Sequence, residues 1–377
     1  MRIAFAYIAE AYQAYHTAAV MFELARRDGV TIDVFHIDET TPDILEKLAK
    51  AHDAPKIAST RLAAGWAGSF IQKIKLFGLA KPQALAANEA RLRAYDAIVS
   101  TEDGIARLFA GQAIEDRPLR ILITHGAGMR LVPSAESRAV MDLIIAKGAG
   151  DVEQWLARGY LREGQVVEGG YPKLASAVRM RTGSGRLFDN DRPTVLYNAH
   201  KERKERSWDR FFPALLEGFR ADRSRNLIVA PHIKMFRRRS ERTRRTLRAL
   251  SDETILVDPG SSNLLDNTYT EAADIYVGDV SSQVAEFIAR PRPCVFLNAH
   301  KADWRGNPNY ALWQLGEVVN EPGEVMAAID RAPALHDRYR EAQEIEARHR
   351  LGDTSEKSVT ASADLIHDFV LKHGRVR

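Results

Sequence analysis

Short apolar runs alternate along the chain with longer stretches whose apolar positions recur every three or four residues. A run of four to six apolar residues between polar ones reads as a buried strand, and the 3.6-residue period reads as helix. Residues 2–7 (RIAFAY) are the first such run. Residues 14–27 then place Ala18, Met21, Phe22 and Ala25 on one helical face, and residues 31–37 (TIDVFHI) predict a second strand. Further strands are expected at 97–100, at 121–124 (ILIT) and, briefly, at 166–167. Such strand–helix–strand alternation specifies a parallel sheet covered by helices on both faces.

Near residue 179 the texture changes. The stretch RMRTGSGRLFDNDRP is polar and centred on Gly183, Ser184 and Gly185, which marks a linker. After Pro193 the alternation restarts, with strands expected at 194–197, 227–230, 254–257, 275–277 and 294–297. The tail from Pro322 is helical, at 325–329, at 334–350 after a break at Pro333, and at 358–372. The organisation expected is an N-terminal Rossmann-like domain over 1–180, a linker over 181–193 and a second Rossmann-like domain over 194–350. A C-terminal helix over 351–377 would pack back on the first domain. The fold class is α/β, two doubly wound domains facing a central cleft, and ligands of open α/β sheets bind at the carboxyl ends of the strands.

Composition narrows the classes. A chain of 377 residues suits two domains. With 45% hydrophobic and 28% charged residues it is neither disordered, collagenous nor a coiled coil. Lys and Arg number 54 against 50 Asp and Glu, so the clustering of positive charge matters more than its sum of +4. The single cysteine, Cys294, excludes an intramolecular disulfide and a cysteine-based zinc site, which suits a reducing compartment. The N-terminal run reaches Glu10 too early for a secretory signal, and no apolar stretch approaches the ~18 residues of a membrane span. The expected location is the cytoplasm.

Three segments carry candidate chemistry. In residues 274–287 (DIYVGDVSSQVAEF) a strand ends at Gly278 and Asp279, and a helix is expected from about Ser281. Open N–H groups and the hydroxyls of Ser281 and Ser282 would suit a phosphate, and Glu286, one turn on, could hold ribose or polyol hydroxyls. Ser281 as a plain helix cap and Glu286 as ordinary first-turn charge explain the same residues. Asp279 is anionic, so it suits loop ordering or capping better than phosphate contact. In LIVAPHIK, His232 follows a strand and a proline, where it can donate to a phosphate, act as acid or base, or be structural. In RILITHGAGMR, His125 directly follows an apolar strand, and Gly126 and Gly128 permit a tight turn and close approach of a ligand. A base of near-neutral pKa suits removal of a hydroxyl proton; a turn carrying a solvated histidine is the competing reading.

The chain has no GxxxxGK[ST] loop, no GxGxxG after the first strand, no GxSxG elbow and no HExxH pair. Taken together, the segments resemble the CDP-glycerol glycerophosphotransferase family, the teichoic-acid-polymerase type. That family ends a first-domain strand in WHGTPLK, where this chain has Thr124-His125-Gly126-Ala127-Gly128-Met129-Arg130. Gly170-Tyr171-Pro172 matches a Gly-Tyr-Pro before the linker, residues 195–200 (VLYNAH) a strand like ILYAPT, and Ala230-Pro231-His232 a strand ending in His-Pro. Residues 274–286 and 292–297 match DILITDYSS, its following acidic residue and a Pro-containing strand. The resemblance covers roughly residues 120–300. It implies a glycosyltransferase-B-type fold and metal-independent transfer with no cofactor. An acceptor hydroxyl would attack the β-phosphorus of a CDP-alditol, and CMP would leave. His125 would be the base, His232, Ser281 and Ser282 would hold the pyrophosphate, and Glu286 would bind hydroxyls of the ribose or alditol. A nucleotide-sugar transferase using the same fold is the alternative.

Basic stretches add to this picture. Residues 201–206 (KERKER) follow a second-domain strand end, so Lys201, Arg203 and Arg206 are candidates to neutralise a pyrophosphate. The stretch from Lys234 to Arg248 holds eight basic residues and one acidic. It reads as a solvated helix face or as a surface for anionic lipid. The stretch from Arg61 to Lys81 mixes Trp66, Phe70, Ile71, Ile74 and Phe77 with lysines, as an interfacial helix or a packing helix would. A membrane-linked glycan or lipid acceptor would place both segments at the inner face of the cytoplasmic membrane. A basic protein binding anionic membrane or nucleic acid without catalysis is the rival class, although no nucleic-acid-binding pattern is present and no such partner is expected.

Overall fold

The computed structural model describes residues 1–64, 77–127, 135–182 and 186–374. In chain order the first part holds β1 (Arg2–Tyr7), α1 (Ala14–Ala25), β2 (Thr31–His36), α2 (Thr41–Ala51), β3 (Ser59–Arg61), α3 (Phe77–Leu92), β4 (Ala97–Ser100) and β5 (Leu119–Ile123). It continues with α4 (Ala135–Ala139), β6 (Leu143–Ala146), α5 (Ala149–Ala157), β7 (Val166–Glu168) and α6 (Pro172–Thr182). The second part holds β8 (Thr194–Asn198), α7 (Trp208–Ala221), β9 (Asn226–Val229), α8 (Glu241–Arg248), β10 (Ile255–Val257), α9 (Thr268–Ala272) and β11 (Ile275–Gly278). After it come α10 (Gln283–Ile288), β12 (Cys294–Leu297), β13 (Glu317–Val319), α11 (Val325–Leu335), α12 (Arg340–Leu351) and α13 (Glu356–His373).

Among the described residues the thirteen strands form two wholly parallel sheets, ordered β3-β2-β1-β4-β5-β6-β7 and β10-β9-β8-β11-β12-β13. Strands buried on both faces must be apolar along their length. β4, β5 and β6 are buried throughout, as are β8, β9, β11 and β12. The strand order reverses between β1 and β4 in the first sheet and between β8 and β11 in the second, and at such switch points the loops diverge and leave room for a ligand.

The chain divides into two units, Met1–Gly183 with His349–Arg377, and Ser184–Arg348. In the first unit α1 is buried almost all round and packs against α2, α6 and α13. The Gly169-Gly170-Tyr171-Pro172 turn is where α13 docks. Gly170 has φ +81°, and a side chain there would strike the Asp353 carbonyl. The Tyr171 amide donates to that carbonyl (2.7 Å), and Ser362 Oγ donates to the Gly169 carbonyl (2.9 Å). In the second unit one core layer gathers Phe211, Phe219, Val229 and Ile329, and the other Tyr276, Phe287, Phe296 and Trp313.

Three details differ from the sequence expectation. The apolar pattern does not predict the strands β3, β6 and β13. The helix expected to break at Pro333 runs on to Leu335, since a proline this near the carboxyl end removes only the bond to the Ile329 carbonyl. The helix expected from Ser281 begins at Gln283 and is six residues long, so it offers only a short dipole.

Candidate functional site

In the first unit, chemistry-bearing side chains collect where β4 and β5 end. His125 follows β5 by two residues, with Thr124 between, and Gly126 next to it has φ +76°, a left-handed conformation that favours glycine. His125 Nδ1 lies 2.8 Å from the Thr101 carbonyl. A carbonyl only accepts, so Nδ1 carries the proton and Nε2 is the bare nitrogen. Nε2 is 4.0 Å from Glu102 Oε1. Burial pushes the imidazole below its usual range, outweighing the upward pull of Glu102 and of the Thr101 carbonyl. His125 is therefore neutral at pH 7, with a lone pair at Nε2 and a carboxylate beside it.

Glu102 is itself held. Gln13 Nε2 donates to its Oε1 (2.5 Å), the Lys81 ammonium pairs with Oε2, and Thr101 Oγ1 donates to Gln13 Oε1 (2.7 Å). Burial acts to raise the Glu102 carboxyl, but Lys81, Gln13 and His125 together hold it below its usual range. Behind His125, the His16 ring lies edge-on at 5.8 Å and also touches Tyr171 at 5.6 Å. His16 is buried, and burial together with Lys173, His125 and Lys147 holds it neutral.

In the second unit the loops after β8, β9 and β11 converge. His232 Nδ1 accepts from the Lys234 amide (3.1 Å), so its Nε2 carries the proton. Burial, with His200, Lys201 and Lys234 nearby, brings its pKa down to about 4. His232 is thus a neutral donor at pH 7. The His200 ring meets it edge-on at 6.1 Å, and His200 Nδ1 lies 3.0 Å from Glu205 Oε2. Ser282 is exposed and Ser281 half-buried, its Oγ accepting from the Gln283 amide (3.2 Å). Asp279 is fully buried and accepts from the His200 amide (2.8 Å) and the Ser207 amide (2.9 Å).

The other candidates are placed as follows. Glu286 is buried and accepts from Asn267 Nδ2 (2.9 Å), so meeting a ribose would mean exchanging that partner. Lys201 pairs with Glu202 (3.4 Å), Arg206 with Asp209 (2.7 Å), and Arg203 is exposed. Gly128 and Arg130 lie outside the described residues, as does most of the 61–81 stretch. Of that stretch Arg61 pairs with Glu39 (2.9 Å), and Lys81 faces Glu102. The helix α8 buries none of its residues. The sequence pattern does not single out Glu102 and His200, although each follows an apolar strand within two residues, the same signal that marks His125. Among the described residues no three His, Cys, Asp or Glu side chains group to hold a metal ion, and no helix is long and apolar enough to cross a membrane.

No family model and no curated protein sequence matches the chain. Solved structures match it along nearly its whole length. The UDP-GlcNAc 2-epimerase of Neisseria meningitidis, bound to UDP-GlcNAc, has a TM-score of 0.64 at 13% identity over 99% of this chain and 100% of its own. The wall teichoic acid polymerase TagF has a TM-score of 0.66 at 12% identity over 98% of this chain and 89% of its own. The chain has the glycosyltransferase-B fold. The UDP-GlcNAc 2-epimerase of Methanocaldococcus jannaschii shares that fold, with a TM-score of 0.64 at 12% identity over 97% of this chain and 100% of its own.

Proposed function

We propose that this chain is a transferase that moves a phospho-alditol, glycerol phosphate first among them, from a CDP-activated donor to a hydroxyl of a membrane-linked glycan or lipid. The observation that carries the reading is His125: neutral, with Nδ1–H spent on the Thr101 carbonyl and Nε2 bare beside Glu102. The order of the strand-end segments, similar to the glycerophosphotransferase pattern, supports the donor class.

In this reading the acceptor oxygen bonds to the β-phosphorus of the donor. The bond from that phosphorus to the bridging oxygen breaks, and the electron pair leaves with CMP. The acceptor proton passes to His125 Nε2, and Glu102 stabilises the imidazolium that forms. His232 donates its Nε2–H to a phosphate oxygen, Ser281 and Ser282 add hydroxyl donors, and Lys201, Arg203 and Arg206 offset the charge that develops on the leaving group.

The test is incubation of the full chain with CDP-glycerol and hydroxyl acceptors, with CMP release as the readout. Formation of CMP dependent on His125 supports the reading; its absence with every acceptor refutes the donor. The likeness to an epimerase bound to UDP-GlcNAc favours a second reading, a nucleotide-sugar transferase, and product from a UDP- or GDP-sugar alone would decide for it. A thermal-shift series with CDP, CMP, UDP and GDP reads the base directly, since a bound nucleotide stabilises by mass action.

A further inference from the structure

The loop that leaves β8 is tied at both ends to one atom. Asp279 Oδ2 accepts from the amides of His200 and Ser207, seven residues apart in the chain. β8 and β11 are neighbours at the switch point of the second sheet, so these two bonds close the spot where ligands of such sheets bind. The surroundings reinforce the tie. Gly278 lies so near the Asn198 carbonyl that a side chain there would collide with it, which holds the end of β11 against the end of β8. The hydroxyls of Tyr197 and Ser207 are 2.8 Å apart, fixing the far end of the loop from below.

Between the two ties run Lys201 to Arg206. Glu205 turns back to His200, Glu202 pairs with Lys201, and Arg206 pairs with Asp209. Arg203 and Lys204 are exposed and make no ion pair among the described residues. A buried carboxylate beneath a cationic loop repels an incoming anion, so Asp279 does not serve as a contact. It serves the loop: charge-assisted bonds to amides are about twice as strong as neutral ones.

We propose that Asp279 is the positioning residue of an anion-binding loop, holding both ends of residues 200–207 so that Lys201, Arg203 and Lys204 meet the diphosphate of the donor. This rests on the nucleotide-transferase reading for the identity of the anion. The carboxyl is out of water, and burial pushes it up to about 7 against the downward pull of the Ser207 and His200 bonds, with Glu205 adding to the rise. Tyr197 and Tyr276 pack beside it without charge. At pH 8, above that value, the carboxylate form that holds the clasp predominates.

The experiment is calorimetric titration of the full chain at pH 8 with inorganic pyrophosphate, CDP and UDP. Four proteins are compared: the natural chain, Asp279→Asn, the triple variant Lys201→Ala, Arg203→Ala, Lys204→Ala, and the combination. Asp279→Asn is expected to weaken pyrophosphate about tenfold in the natural loop, and less than twofold where the loop has lost its cations. Equal losses in both backgrounds, or no loss, overturn the proposal. If pyrophosphate follows the expected pattern while CDP and UDP bind no better than it does, the nucleotide reading falls and the clasp stands. If CDP or UDP binds and Asp279→Asn is silent, the clasp falls alone; if nothing binds the natural chain, both fall. Should Asp279→Asn not fold, hydrogen exchange on the natural chain decides. The amides of His200 and Ser207 must be slow, and pyrophosphate must protect the loop between them; fast exchange at both overturns the proposal.

Discussion

The Nδ1 atom of His125 lies 2.8 Å from the carbonyl oxygen of Thr101, the first residue beyond β4. One hydrogen bond between neighbouring strand ends thereby selects the tautomer and leaves Nε2 as a base. Replacing His125 by alanine should lower turnover by ~10²–10⁴. Thermal unfolding should stay within a few degrees of the natural chain. Retained turnover would remove His125 from the reaction.

The pH profile carries a sign. Burial lowers the His125 pKa, so the base loses its lone pair only below the ordinary imidazole value of 6.5. The acid limb of kcat/KM should have its midpoint under 6.5. Glu102 raises that pKa, so Glu102→Gln should move the limb to lower pH still and reduce kcat by ~10-fold, since about 1.4 kcal/mol of imidazolium stabilisation is a factor of ten. A limb that moves upward contradicts the assigned pairing.

His232 titrates near 4, well below neutrality. It donates as a neutral imidazole, so between pH 8 and pH 5.5 it should add no cation to the donor site. His232→Ala should weaken nucleotide binding by about tenfold. That loss, measured by titration calorimetry, should be the same at both pH values. A loss that grows on acidification would identify a charged histidine.

Asp279 sets a slope of stability with pH. Its folded pKa of about 7 lies above the usual 3.8, so the folded chain holds the proton longer than the unfolded one. The stabilisation is complete below about 4 and is lost as pH rises through 7, at up to about 1.4 kcal/mol per pH unit. Asp279→Asn should flatten that part of the denaturation profile. An unchanged slope would mean the carboxyl is charged in the fold throughout.

Gly170→Ala should destabilise the first unit. Its φ of +81° is unfavourable for a side chain, and the added carbon meets the Asp353 carbonyl and Ser358. A loss of about 2 kcal/mol or more, a drop of roughly 4–8 °C in Tm, follows. Gly126→Ala, with similar strain but no atom of the described residues within 4 Å of the added carbon, should cost less.

Most strands were legible because a strand in the middle of a parallel sheet must be apolar on both faces. Ser59–Arg61 and Glu317–Val319 lie at the sheet edges, three residues long, and have no such signature. Leu143–Ala146 had the signature, but as four residues between helix-compatible neighbours it did not stand apart. The candidate histidines were legible because each follows an apolar run. The ties that give them meaning were not, because they join residues distant in sequence. His125 meets a carbonyl 24 positions earlier, and Asp279 an amide 79 positions earlier. Such pairs follow from which strands lie side by side, and local patterning is silent on that.

The helix α13 lies in the first unit although the whole second unit precedes it in the chain. During synthesis residues 1–183 therefore wait, with the Gly169–Pro172 turn and one side of α1 uncovered, until residues 349–377 have been made. The 184–348 unit holds its own strands and cores and is free to assemble during that delay. The first unit therefore gains its last helix only after the second unit has been synthesised, and until then the apolar surface that α13 covers stays open to water.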